Sequence, residues 1–235
     1  MRRIFVIICV LISTLSFSQD KVELLNKGNE YFQEGDFEKA EEYYKISLEV
    51  DNQYYKANLN TGHSLFRQAF SLIQKQDTTG LKKCSESELF YKNSVELTEN
   101  KNDKSESLYN LGNSQLLSQK LEESIASYKK SLRLVPENMN AKHNLSLAQY
   151  LLNKKQENQK DSKEDKKEQE NKEEEKKKDQ SKENKQKDQA EEKKEELSKE
   201  EIEQILNALE REEEEVQEDL QKKKIIGGNK LLKDW

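Results

Sequence analysis

The chain of 235 residues is 37% charged and 32% hydrophobic, with one proline, seven glycines, two cysteines and a formal net charge of -6. Such a balance excludes one large globular core. So little glycine and proline also excludes a fold of many strands and tight turns, or an enzyme built on a glycine-rich phosphate loop.

In chain order, residues 1–18 read first as an export signal. Arg2 and Arg3 are a positive start, Ile4 to Phe17 are a largely apolar run, and Ser16 and Ser18 put small side chains before a cut at Gln19. Signal removal leaves no transmembrane segment, since a spanning helix needs about 20 apolar residues. It also leaves Cys84 as the single thiol, expected to be buried or half-buried rather than disulfide-bonded.

Residues 21–152 hold most of the apolar side chains and a repeat. Leu-Leu-Asn-Lys-Gly-Asn at 24–29, Leu-Asn-Thr-Gly-His at 59–63 and Tyr-Asn-Leu-Gly-Asn at 109–113 align, and His-Asn-Leu-Ser at 143–146 is a looser copy. Gly28 and Gly62 stand 34 apart, as do Gly112 and Ser146, while Gly62 and Gly112 are 50 apart, a 34-residue unit with a 16-residue insertion. This period resembles that of tetratricopeptide (TPR) repeats and implies an all-α solenoid of three helix pairs and a capping helix. In that arrangement Gly28, Gly62 and Gly112 sit where two helices cross closely, and Ala40, Ser87 and Ser124 are the small residues opposite them. Tyr44, Tyr91 and Tyr128 are expected to fill the space between neighbouring repeats. Pro136 ends a helix and sets the angle of the next. The cap presents Leu145, Leu147, Ala148, Leu151 and Leu152. The insertion, near residues 70–84, is expected as a lengthened first helix breaking at Asp77 to Gly80.

Stacked helix pairs curve, and their first helices line a concave groove. By resemblance to TPR domains, Asn26, Asn29, Asn60, His63, Arg67, Asn110, Asn113, His143 and Asn144 are expected to face it. Asparagines there can hydrogen-bond the backbone of an extended peptide. Asn26, Asn60, Asn110 and Asn144 can equally bond within the helix array and set its geometry. A clamp for a free peptide carboxylate needs basic side chains where this chain has Leu25, Glu106 and Asn110, so that mode is disfavoured.

No catalytic, cofactor-binding or metal-binding constellation emerges, so no enzyme activity and no cofactor are expected. The two histidines, His63 and His143, lie far apart on repeat helices with no ligand spacing around them. Nucleic acid is a poor partner for a net acidic chain whose lysines are interleaved with glutamates.

Residues 153–197 are a lysine- and acid-rich linker, expected to be disordered or partly helical. Favourable pairs four apart, such as Glu168 with Lys172, are opposed by like-charge pairs such as Lys163 with Lys167. Order is expected to return over 198–226. Ser198 and Glu201 form a capping box there, and Ile202, Ile205, Leu206, Leu209, Val216 and Leu220 make one apolar stripe. Its cover is either the chain's own TPR domain or a partner, and the partner is the expectation, anchored by Leu209 and by the single tryptophan, Trp235. Gly227 and Gly228 stop that helix before a tail over 227–235 that ends Lys-Asp-Trp.

Taken together, the signal, three TPR units, the charged linker, the helix reading Ile-Leu-Asn-Ala-Leu-Glu-Arg-Glu-Glu from Ile205, and Lys233, Asp234 and Trp235 resemble the BatC-type TPR proteins of the Bat aerotolerance operons. The resemblance implies a periplasmic protein beside inner-membrane proteins carrying von Willebrand A domains and a MoxR-type ATPase, in a complex linked to envelope or oxidative stress. The expected function is a non-enzymatic interaction adaptor. The alternatives are a chaperone-like holdase and a charged-tail tether to wall or membrane.

Overall fold

The computed structural model describes residues 20–177, their side chains through Gln159, and residues 197–211. The expected export signal over 1–18, most of the charged linker, the expected continuation of the helix beyond residue 211 and the tail with Trp235 lie outside the described residues. Eight helices are described: α1 (Lys21–Glu34), α2 (Phe37–Val50), α3 (Tyr55–Gln74), α4 (Thr79–Leu97), α5 (Lys101–Leu117), α6 (Leu121–Leu134), α7 (Met139–Lys177) and α8 (199–211). The first six form three antiparallel hairpins stacked in chain order, and α7 closes the stack.

Local chemistry sets the boundaries. Asp20, Asp36 and Asn100 accept backbone N–H groups at the starts of α1, α2 and α5, satisfying donors that have no partner inside the helix. Each hairpin turns through one left-handed residue: Gly35 at φ 80, Gln76 at φ 59 and Gln119 at φ 60. At Gly35 the N–H reaches Phe32 O and the next N–H reaches Tyr31 O. Gln76 and Asp77 repeat this with Ile73 and Leu72, and Gln119 and Lys120 with Leu116 and Gln115. This double bond closes a helix C-terminus around a left-handed residue. Gln119 stands seven residues after Gly112, as Gly35 does after Gly28.

Within each hairpin a tyrosine ring lies on a glycine. A Cβ on Gly62 would come within 2.7 Å of Tyr91 Cε1, and one on Gly112 within 2.5 Å of Tyr128 Cε1; Gly28 meets Tyr44 in the same way. Tyr44, Tyr91 and Tyr128 are almost wholly buried. Each ring is aimed at the glycine of its own first helix and also fills the boundary to the next repeat, as expected, sharing a buried cluster with Ala57 for Tyr44, Leu111 for Tyr91 and Ala148 for Tyr128. Ala40, Ser87 and Ser124 have no exposed surface and let the crossing close. Ser47 and Ser131 tie the other end, donating to Lys21 O at 2.7 Å and Ser105 O at 2.8 Å.

The insertion lengthens both helices of its hairpin. α3 has 20 residues and α4 has 19, against 14 each for α1 and α2. Asp77 accepts from Thr79 N and Oγ1 at the break. Gly80 is not a loop residue: it lies in α4, where a Cβ would meet Ile73 and the Ala69 carbonyl.

A buried carboxylate bridges neighbouring hairpins. Glu41 of α2 accepts from Lys45, from Gln68 at 2.7 Å and from Lys83 at 3.1 Å. Glu88 of α4 occupies the matching place, three residues before its tyrosine, and pairs with Lys92 and with Lys120 at 2.7 Å.

α7 runs on well past Leu152, to Lys177, although its apolar pattern stops there. The register that gives Gly35 and Gln119 puts Asn153 at the next turn, and Asn153 stays helical. The fourth hairpin therefore never closes.

Candidate peptide-binding groove

The first helices of the hairpins, α1, α3 and α5, together with α7, present the groove. Its floor is a hydrogen-bonded relay. Tyr44 donates its hydroxyl to Asn29 Oδ1 at 2.8 Å, and Asn60 of the next hairpin donates Nδ2 to the same oxygen at 2.9 Å. The pattern recurs at the far end, where Tyr128 and Asn144 converge on Asn113 Oδ1 at 2.8 and 3.1 Å. In the middle hairpin His63 takes the asparagine's place, with Nδ1 3.0 Å from the Tyr91 hydroxyl. A neutral ring protonated on Nε2 accepts that hydrogen.

This relay separates the expected groove residues. Asn113 is 5% exposed and Asn144 1%, so both are structural and do not line the groove. Asn29 and Asn60 are half-buried and bonded to each other across the hairpin boundary, which makes them part of the same scaffold. The amides set the spacing of successive first helices, because an unbonded amide at such a boundary costs more than its bond contributes.

Of the rest, Asn26, His143 and Glu106 are exposed and Arg67 and Asn110 are half-buried, while His63, half-buried and bonded to Tyr91, belongs with the scaffold. Arg67 lies over the Phe37 ring, 4.6 Å from its centroid, and burial lowers its guanidinium pKa. Asn110 donates to Glu106 O at 3.0 Å. Glu106 stays open to solvent yet is walled by protein; this desolvation, then Asp103, raises its carboxyl above the ordinary value. Protein crowded around His63 lowers its imidazole to about 4, so the ring is neutral at pH 7. Beside the scaffold the groove thus offers the Arg67 guanidinium, the reluctant Glu106 carboxyl and the amides of Asn26 and Asn110. That set suits a peptide backbone and side chains better than a free carboxylate.

Leu209 falls elsewhere. It is 5% exposed and shares one buried cluster with Leu197, Ile205, Leu116, Leu117 and Leu151 of the same chain. The cover of the α8 stripe is therefore the protein's own solenoid, not a partner. Leu197 N donates to Gln119 Oε1 at 2.9 Å, Ser198 and Glu201 bond reciprocally as a capping box, and Lys154 meets Glu201 at 3.0 Å. Trp235 lies outside the described residues. Cys84 is fully buried, and burial pushes its thiol up to about 12. Among the described helices none is long and apolar enough to cross a membrane.

The residues that the sequence pattern left unnoticed carry periodic signals. Glu41 and Glu88 each precede a hairpin tyrosine by three, and Gln119 keeps the register of Gly35.

Tetratricopeptide repeat models match residues 22–54 and 105–138, the hairpins α1–α2 and α5–α6. No curated protein matches the sequence. Among solved structures, the first TPR of Spaghetti (RPAP3) bound to the HSP90 peptide SRMEEVD is 26% identical, with 57% of this chain and 94% of that one covered and a TM-score of 0.48. The NMR structure of the first TPR domain of human RPAP3 is 25% identical, with 57% and 93% covered and a TM-score of 0.48. The repeat matches, the glycine and tyrosine register and the stacked hairpins agree: this chain carries tetratricopeptide repeats and folds as an all-α solenoid of that type.

Proposed function

We propose that the protein is a non-enzymatic adaptor whose groove takes a segment of a partner protein. The observation that carries this reading is the division of labour along the first helices. Asn29, Asn60, His63, Asn113 and Asn144 are spent on the scaffold, while Asn26 and Glu106 stay exposed and Arg67 and Asn110 lie half-buried beside them. A rigid floor with polar groups standing clear of it limits the ordering cost of binding.

The setting is the cell envelope. The pattern of residues 1–18 supports export to the periplasm, and the BatC-type resemblance supports partners with von Willebrand A domains at the inner membrane, in an aerotolerance or stress complex. The test is capture of such a domain by the full-length chain and by an Arg67→Ala, Asn110→Ala double variant. Capture should fall at least tenfold in the variant, with its helical circular dichroism at assay temperature kept. Equal capture by both chains would remove the groove as the binding site.

A further inference from the structure

Val22, Lys56 and Glu106 stand six residues before Gly28, Gly62 and Gly112. The repeat register therefore sets them level with one another in the first turns of α1, α3 and α5. Each lies one turn before Asn26, Asn60 or Asn110, on the same helix face. The three turns adjoin: Lys21 lies over the Tyr54 ring, 4.9 Å from its centroid, and Tyr55 donates its hydroxyl to Asp103 O at 3.3 Å. Asn140, six before Ser146, continues the row on α7. Val22 and Glu106 are exposed, and Lys56 and Asn140 are half-buried. From α7 towards α1 the mouth of the groove thus presents an amide, an acid, a base and an apolar side chain.

The chain carries the complement in the same order. Residues 233–235 read Lys-Asp-Trp. A segment entering at α7 and crossing towards α1 sets Lys233 by Glu106, Asp234 by Lys56 and the Trp235 ring on Val22. Neighbouring first helices lie about 10 Å apart, a step that one extended residue and the long Lys233 or Trp235 side chain cover together. Lys-Asp recurs at 160–161, 178–179 and 187–188, but Ser or Gln follows it there. Only at 233–235 does an interface anchor follow.

The tether is long enough within one chain. Arg211 borders an open cleft with His143, in the second turn of α7 and three residues past Asn140. Residues 212–235 span up to about 80 Å extended and about 36 Å even as one helix. The row from Asn140 to Val22 is three helix spacings, about 30 Å. Gly227 and Gly228 allow the chain to turn into it.

We propose that the mouth of the groove binds the Lys-Asp-Trp segment of its own chain. The inference rests on the groove reading above and names a ligand for it. A partner segment with a base, an acid and a large apolar residue in that order competes for the same row.

Trp235 is the single tryptophan, so its emission and acrylamide quenching in the full-length chain report this segment alone. Compared with a free peptide of residues 227–235, the chain should emit further to the blue and be quenched at least threefold less, at every protein concentration. Lys56→Glu and Glu106→Lys each set like charges against the segment and should raise quenching to the peptide's level. Lys56→Glu with Asp234→Lys should restore protection. Val22→Asp should also expose the ring, and decides the matter if Lys56→Glu lowers the helical circular dichroism. Quenching of the unsubstituted chain equal to that of the peptide would overturn the proposal. So would protection that all three groove variants leave intact, since Trp235 would then pack elsewhere. Protection that appears only as concentration rises would assign the segment to a second copy and overturn the single-chain reading. Loss of von Willebrand A domain capture with Trp235 still protected would sink the partner reading alone.

Discussion

Tyr128 donates its hydroxyl hydrogen to Asn113 Oδ1 across 2.8 Å, and Asn144 reaches the same oxygen from the next helix. The three-way bond fixes α6 to α5 and α5 to α7 at a single atom. Asn113→Ala should leave a buried hydroxyl and a buried amide without their acceptor and cost about 1 to 3 kcal/mol. Asn26→Ala and Asn110→Ala, nearer solvent, should stay within roughly 0.5 kcal/mol. Urea melts of the three variants check this, and equal losses would contradict the division between scaffold and groove.

The glycines separate steric from conformational demand. Gly112→Ala puts a Cβ 2.5 Å from a ring that is fully buried and hydrogen-bonded. It should cost roughly 1 to 3 kcal/mol by overpacking. Gln76→Gly should act in the opposite direction. Gln76 is exposed at φ 59, so glycine removes a left-handed penalty, less its own entropy, for a net gain of about 0.5 to 1 kcal/mol. A thermal melt in which Gln76→Gly is less stable would show that the Gln76 side chain holds the turn.

The glycine and tyrosine register was legible in the sequence because steric exclusion writes itself as residue type at fixed spacing. Asparagine does not. Asn26 and Asn29 are three apart on one helix, and a rotation of about 60° between them decides which faces a neighbouring helix and which faces water. The cover of the Leu209 stripe was illegible for a related reason: an apolar stripe looks the same whether a partner or the chain's own solenoid buries it. The run of α7 past Leu152 was hidden by an absence, since nothing at Asn153 marks that the turn made at Gly35 and Gln119 fails to form.

His63 and Glu41 both lose stabilising weight as pH falls, in different ranges. His63 has its folded pKa lowered to about 4 from 6.5 by burial. Its contribution is complete above pH 6.5, falls as pH drops toward 4 because the unfolded chain binds the proton first, and levels off below. The slope approaches 1.4 kcal/mol per pH unit at most. For Glu41, burial opposes ionisation, but its bonds from Lys45, Gln68 and Lys83 prevail and lower the pKa below 4.5. That stability is present above 4.5 and is lost only as pH falls through the lowered value. Melting temperatures should therefore decline in two stages. His63→Asn, the residue that Asn29 and Asn113 supply in the other hairpins, should flatten the first stage alone.

Cys84 has no exposed surface, and its thiol is pushed up to about 12. A thiol reagent should react with it only through opening of α4, since reaction needs an accessible thiolate. The labelling rate should rise with urea in step with the unfolding curve. Rapid stoichiometric labelling in buffer would show that the α4 packing opens without global unfolding.

The paired carboxylates make a claim about how the hairpins hold each other. Lys120 begins the third hairpin's second helix and lies 2.7 Å from Glu88 of the second, while Lys92, on the same helix as Glu88, stands at 3.4 Å. Glu88 is almost fully buried, whereas Lys120 is partly exposed. Losing Lys120 therefore leaves a buried carboxylate with only its local partner. Losing Glu88 leaves a lysine that can turn to water. Lys120→Ala should consequently be the more destabilising change per group removed, by about 1 to 3 kcal/mol. The Glu88→Ala, Lys120→Ala double variant should cost less than the sum of the singles, with a coupling of roughly 0.5 to 3 kcal/mol. The same cycle on Glu41 and Lys83 should give a smaller coupling, because Gln68 also donates to Glu41 at 2.7 Å and remains after Lys83 is removed. Additive losses at both boundaries would mean that apolar packing alone joins the repeats and that the buried acids are spectators.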